Sequence, residues 1–167
     1  FIMKPSERVP LSSARIAELL KEAGLPDGVF NIVHGDRAVV EAICDHPRIQ
    51  GVTFVGSTRV AKEVYRRATG NFKRALCLGG AKNHAVVLPD ADLAFTTEAI
   101  IGAGYGSAGE RCMAISAIVA VGDVGDALVA KLAERARRVS VGPGDAPNVE
   151  MGPVVTCAAR DRIVDGG

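Results

Sequence analysis

A chain of 167 residues, 48% of them hydrophobic, is globular in composition and can bury one modest core or parts of two domains. Its 20 basic residues nearly cancel its 19 acidic ones, and no run of about five or more like charges offers a surface to a phosphate backbone or an anionic bilayer, so neither nucleic acid nor a membrane is an expected partner. The longest apolar stretches, such as Ala114 to Val121, fall short of the roughly 20 residues of a membrane helix, and no basic-then-apolar signal opens the chain; the expected setting is soluble and intracellular, cytoplasmic in a bacterium, with the mitochondrial matrix as the eukaryotic alternative.

Phe1-Ile2-Met3 is apolar and is followed by Pro5, which suits a strand leaving a sheet at Lys4. Ile16, Leu19, Leu20 and Ala23 recur at helical spacing, with Ser12 or Ser13 placed to cap the helix and Gly24 to end it in a left-handed conformation. Phe30 to Val33 reads as a strand, Arg37 to Cys44 as a short helix and Val52 to Val55 as a strand. Val60, Ala61, Val64, Tyr65 and Ala68 then mark one face of a longer helix.

Strands that are near-continuous apolar runs, alternating with helices, predict a doubly wound α/β unit whose parallel sheet is covered on both faces. The regularity breaks at Gly79-Gly80. A second α/β series follows: strand Ala85 to Leu88, a helix from Asp92, strand Ala114 to Val121 and helix Val124 to Arg137. The expected organisation is therefore two incomplete portions, 1–79 and 80–167. The chain opens inside an apparent strand and stops soon after a helical pattern resumes, so truncation at both ends is expected.

Gly104-Tyr105-Gly106-Ser107-Ala108-Gly109 spells a dinucleotide fingerprint in the wrong context, because a helical pattern precedes it and a strand follows. Glycines that let backbone approach closely fit better. Gly56-Ser57-Thr58 has the right context, between the strand ending at Val55 and the next helix. Unpaired amides and the helix dipole there suit a phosphate, although a simple N-cap suits the segment equally. Lys4-Pro5-Ser6-Glu7-Arg8 stands at the carboxyl end of the first strand, where open parallel sheets bind ligands. A carboxylate and an ammonium spaced there can grip ribose hydroxyls; a solvated charge cluster is the alternative.

Cys44, Cys77, Cys112 and Cys157 are widely separated, with no C-x-x-C pair and no histidine completing a zinc set, so neither disulfides nor a metal is expected. Cys44, Cys77 and Cys157 lie in or beside apolar patterns and read as structural. Cys112 follows a glycine-rich approach, Gly109-Glu110-Arg111, that can expose its sulfur and offer amides to an oxyanion; a buried small hydrophobe is the competing reading, and spacing alone does not decide. His34, His46 and His84 read as turn histidines, His34 with a possible reach to a cofactor's adenine.

In order, Lys4-Pro5-Ser6-Glu7, Phe54-Val55-Gly56-Ser57-Thr58, Gly80-Ala81-Lys82-Asn83-His84, Gly109-Glu110-Arg111-Cys112 and Gly152-Pro153 resemble the landmarks of the aldehyde dehydrogenase superfamily. The resemblance implies that Lys4, Glu7 and Arg8 hold the adenosine side of NAD, that Gly56 and Ser57 meet the pyrophosphate, and that Gly79 turns a carbonyl toward the nicotinamide amide, a hinge being the alternative there. It makes Cys112 the nucleophile that carries the acyl group as a thioester. The family's general-base glutamate stands four residues before the lysine matching Lys82, and that position here is Leu78. A leucine cannot deprotonate water, so the resemblance narrows to the coenzyme-A-acylating methylmalonate-semialdehyde branch, with CoA as co-substrate.

The expected activity is thus NAD-dependent oxidation of malonate or methylmalonate semialdehyde to an acyl-CoA by a homo-oligomer, dimeric or tetrameric. The alternatives are a hydrolytic dehydrogenase releasing free acid and a non-catalytic NAD-binding or thiol module. The family's oxyanion-hole asparagine and nicotinamide-ribose carboxylate are expected outside 1–167, which implies that this segment alone is inactive.

Overall fold

The computed structural model describes residues 1–165 and divides them into two compact units, Phe1–Gly80 and a second beginning at Ala81. The first runs β1 (Ile2–Met3), α1 (Leu11–Glu22), β2 (Asn31–Ile32), α2 (Arg37–Asp45), β3 (Gly51–Val55), α3 (Thr58–Gly70) and β4 (Arg74–Leu78). The second runs β5 (Asn83–Val87), α4 (Leu93–Tyr105), β6 (Ile115–Ala120), α5 (Gly125–Arg137) and α6 (Cys157–Val164). Three parallel strand pairs result: β1 with β2, β3 with β4 and β5 with β6. In each the chain crosses over through a helix, as parallel neighbours require.

The parallel α/β architecture is the expected one, and its helix ends follow local chemistry. Asp36 caps α2 by accepting from the Ala38 amide at 3.1 Å, and Asp92 caps α4 by accepting from Ala94 and Phe95. Gly24, at φ +89°, ends α1 in a Schellman arrangement: its amide donates to the Lys21 carbonyl and that of Leu25 to Leu20, both at 3.0 Å. The start of α1 differs from expectation. Neither Ser12 nor Ser13 caps it; Pro10 stands at the N-cap in right-handed helical geometry, its ring presetting φ, and the serines fall inside the first turn.

Strand β4 is absent from the sequence expectation. Its five residues, Arg-Ala-Leu-Cys-Leu, pair in register with β3 from Gly51↔Arg74 to Val55↔Leu78. Burial alternates along both strands: Val52, Phe54, Ala75 and Cys77 pack against the buried Cys44, Val64 and Ala68 of α2 and α3. Val55, Leu76 and Leu78 face outward, more than half exposed. Coverage of this pair is therefore one-sided among the described residues.

The second unit repeats the scheme. Val87, Ile100, Val124 and Leu128 form its core, with Leu93, Ile115 and Leu132 packed against them. Burying a side chain such as Leu128, 1% exposed, contributes about 1.5–3 kcal/mol. Between Asn83 and His84 the β5–β6 register slips by one residue, from Asn83↔Ile115 to His84↔Ala117. That bulge lies beside the segment that carries Cys112. Among the described residues no helix is long and apolar enough to cross a membrane.

Candidate active site

In the first unit, residues after β1 and residues of α2, β3 and α3 border one cavity of about 1100 Å³. Lys4, Ser6 and Glu7 line it together with Asp36, Arg37 and Val40 and with Val55, Arg59 and Val60. Lys4 Nζ donates to Glu7 Oε2 at 3.0 Å, with the lysine side chain 14% exposed and the glutamate 52%. A backbone hydrogen bond and then the Lys4 ammonium hold the Glu7 carboxyl below its ordinary range, so it remains an anionic acceptor at neutral pH. An ammonium and a carboxylate three residues apart, joined and facing open space, can together donate to and accept from a vicinal diol. Arg8 is exposed and does not border this cavity; its amide donates to Ser6 Oγ.

Gly56 and Ser57 form the turn between Val55 and Thr58 and, like Arg8, are not among the residues that border this cavity. Ser57 occupies the N-cap of α3 with extended backbone, φ −64° and ψ 144°, and its hydroxyl makes no capping bond. The first-turn amides of α3 and that hydroxyl are thus available to an anion, in a helix-terminus geometry suited to phosphate. Gly56 is tight: a β-carbon there would stand 2.6 Å from the Phe54 ring. Gly79 is equally confined, against Thr58, and the Gly80 amide donates to Thr58 Oγ1 at 3.0 Å. Close packing on α3, within this unit, is what a glycine at 79 serves.

The second unit presents Cys112. After α4 the chain turns through Ser107 and Ala108, both at φ 53°, and Gly109 at φ 72°. Left-handed backbone at non-glycine residues costs about 1–2 kcal/mol each and is held only by surrounding structure. Gly109 is the glycine this turn requires, since besides its positive φ a β-carbon there would lie 3.2 Å from the Gly104 carbonyl. Cys112 and Met113 then form the centre of a tight turn closed by the Ala114 amide donating to the Arg111 carbonyl at 3.0 Å. Both residues are exposed. The Arg111 guanidinium rests on Gly106, where a β-carbon would come within 2.6 Å of it.

Two further residues appear in the sequence motifs without the contacts they make. Asn83 donates through Nδ2 to the carbonyls of Cys112 and Ala114, at 2.8 and 3.0 Å. Thr58 anchors the Gly79-Gly80 backbone. Neither type signals its partner in a sequence, because the contacts span 29 and 22 residues. Of the remaining thiols, Cys44 is buried and Cys77 half-buried, and burial pushes both thiols up. Cys157 corrects the expectation of a packed thiol: it opens α6 and is exposed, because Thr156, not an apolar neighbour, fixes that turn by capping the Ala159 amide. Leu78 ends β4 with its side chain outward.

A malonate-semialdehyde dehydrogenase of Pseudomonas aeruginosa is 51% identical over all of this chain, which covers 34% of that protein. A Sinorhizobium meliloti protein solved as a complex with NAD superposes with a TM-score of 0.91 at 53% identity, covering 99% of this chain and 34% of that one. The methylmalonate-semialdehyde dehydrogenase of Oceanimonas doudoroffii superposes equally, at 0.91 and 49% identity, with the same shares covered. The chain thus spans about a third of the length of the relatives it matches. With residues 1–166 matching the model of the aldehyde dehydrogenase family, the chain belongs to that family.

Proposed function

We propose that this chain supplies the NAD-binding face and the nucleophile of a coenzyme-A-acylating dehydrogenase for malonate or methylmalonate semialdehyde. In this reading residues 1–79 serve NAD and 80–167 begin the catalytic portion. The observation that carries it is the pairing of an exposed Cys112 with an aliphatic Leu78 at the position of the family's base. The P. aeruginosa relative is named for malonate semialdehyde and the S. meliloti one was solved with NAD, which supports both halves of the assignment.

Lys4 and Glu7, which border the first unit's cavity, fit an adenosine ribose, and the start of α3, next to Val55 and Arg59 of that border, fits a diphosphate. The joined Lys4 and Glu7 would grip the ribose diol, Ser57 and the α3 amides would face the pyrophosphate, and the Glu7 anion would disfavour a 2'-phosphate. Bound NAD would supply the hydride acceptor. The Cys112 thiolate adds to the aldehyde carbon, and the carbonyl π pair moves onto oxygen. Once the carbon has lost hydride, the acyl group stands as a thioester on Cys112.

Release then depends on the second nucleophile. Water has a pKa of about 15.7 and needs a base, which Leu78 cannot be. A CoA thiol near pKa 8.5, to take about the value of an ordinary thiol, ionises readily, attacks the thioester and expels the Cys112 thiolate. Decarboxylation accompanies transfer, the C–C bond to the substrate carboxylate breaking to release CO2 while the carbon keeps the pair and takes a proton from solvent, and the intact enzyme works as a soluble dimer or tetramer. The test is product analysis with the full-length protein, NAD and malonate semialdehyde. Acyl-CoA formation that stops without CoA is expected; free acid formed at the same rate without CoA would replace this reading with a hydrolytic dehydrogenase.

A further inference from the structure

We infer that Asn83 is a positioning residue for Cys112, an inference that rests on the reading of Cys112 as nucleophile. One side-chain nitrogen donates to the Cys112 carbonyl at 2.8 Å and to the Ala114 carbonyl at 3.0 Å. These carbonyls flank Met113, which is 78% exposed. The turn's own closure is a single backbone bond, from Ala114 to Arg111. Asn83 adds two more from outside it and ties the turn to the first residue of β5.

The chemistry of this brace is specific. Regular pairing of β5 with β6 begins at Asn83↔Ile115 and slips immediately afterwards, so the Cys112 carbonyl lies upstream of the paired residues. Filling both carbonyls needs a short side chain with two N–H donors on one nitrogen, which a primary amide has and a hydroxyl or carboxylate lacks. The peptide bond after Cys112 is planar and trans, so fixing its carbonyl toward Asn83 turns the Met113 amide the opposite way. The Cys112 backbone, and with it the range of directions open to Sγ, is thereby held before any substrate arrives. Nucleophile presentation of this kind acts on the chemical step and not on substrate affinity.

The experiment uses the full-length protein with three substitutions: Asn83→Asp, of equal size but without donors, Asn83→Ala, and Asn83→Ser, which keeps one donor. Four quantities are read: kcat, KM for malonate semialdehyde, the thermal midpoint, and iodoacetamide alkylation at each cysteine by peptide mass spectrometry. Asn83→Asp and Asn83→Ala should lower kcat about tenfold with KM within about twofold of native, and Asn83→Ser should fall between. Alkylation of Cys112 should slow relative to Cys157 in the same samples. Native kcat and native Cys112 alkylation in Asn83→Asp would overturn the inference. A collapse of the thermal midpoint with Cys44 and Cys112 labelled faster together would overturn it too, by assigning Asn83 to general stability. If the native protein oxidises no semialdehyde while Asn83→Asp still slows Cys112 selectively, the proposed function fails and the positioning role stands.

Discussion

Gly79 and Thr58 touch without an intervening side chain: a β-carbon on Gly79 would stand 2.8 Å from Thr58 Oγ1 and 3.0 Å from its Cα. The end of β4 therefore closes on the first residue of α3, and the Gly80 amide completes the contact by donating to the same hydroxyl. Both sides of the contact are fixed, one by the β3–β4 ladder and one by the helix start. A methyl group can be admitted only by moving backbone.

Gly79→Ala should accordingly destabilise the protein by about 1–3 kcal/mol, the usual cost of overpacking a confined site. Thr58→Ala removes the hydroxyl and should cost about 1 kcal/mol through the lost hydrogen bond. Because the two share one contact, the double variant should cost less than the sum, by urea denaturation. Additive losses would show that the 79–58 approach is looser than its geometry states.

Cys112 and Cys157 provide a matched pair of exposed thiols, one in the turn before β6 and one at the start of α6. Exposure alone predicts equal alkylation. The nucleophile reading predicts that Cys112 reacts faster and is shielded by semialdehyde in the full-length protein. Cys112→Ala should lower kcat by at least about a thousandfold, whereas Cys157→Ala leaves it native. Equal labelling of both thiols, unaffected by substrate, would return Cys112 to the status of an ordinary surface cysteine.

Much of this was legible from periodicity. Helices α3 and α5 and strand β3 were marked by their apolar spacing, and the Lys4, Ser57 and Cys112 segments by motif order. Strand β4 was not, since Arg74-Ala75-Leu76-Cys77-Leu78 alternates small, charged and large residues in a five-residue span and gains its identity only from pairing with β3. The serines of α1 misled because a proline just ahead of them fixed the helix start. Ala114 reads as strand but lies before β6, buried at 8%, with its carbonyl given to Asn83. Contacts such as Asn83 to Cys112 depend on a register slip that composition does not encode.

On the proposed thiolysis, Leu78 bears on the fate of the thioester. Its side chain is 52% exposed at the end of β4, so a polar replacement meets no packed core within this unit. Leu78→Glu restores a carboxylate where the family keeps its base, and it should raise CoA-independent release of free acid at least about tenfold in the full-length protein. Unchanged hydrolysis would mean that water is excluded for a reason other than the missing base.

The clamp between α2 and α3 makes stability depend on pH in the acid range. Arg67 donates to both Asp45 oxygens, at 2.9 and 2.6 Å, and Asn71 Nδ2 donates to Oδ1 at 3.0 Å. The Arg67 hydrogen bonds first, and the Asn71 amide more weakly, hold the Asp45 carboxyl below its ordinary value; Arg37 and then Arg67 do the same for Glu41. A carboxyl whose folded pKa is depressed binds fewer protons folded than unfolded, so its contribution is fully present above the unfolded pKa of about 3.9 and is lost as pH falls through the folded value. Asp45→Asn removes that titration. Its stability deficit relative to the native protein should be constant from neutrality down to about pH 5 and should shrink below about pH 4, measured as urea midpoints across that range. Added salt should narrow the deficit as well, because the pair is solvent-exposed and screened. Native and variant curves that run parallel down to pH 3 would show that the clamp contributes nothing through charge.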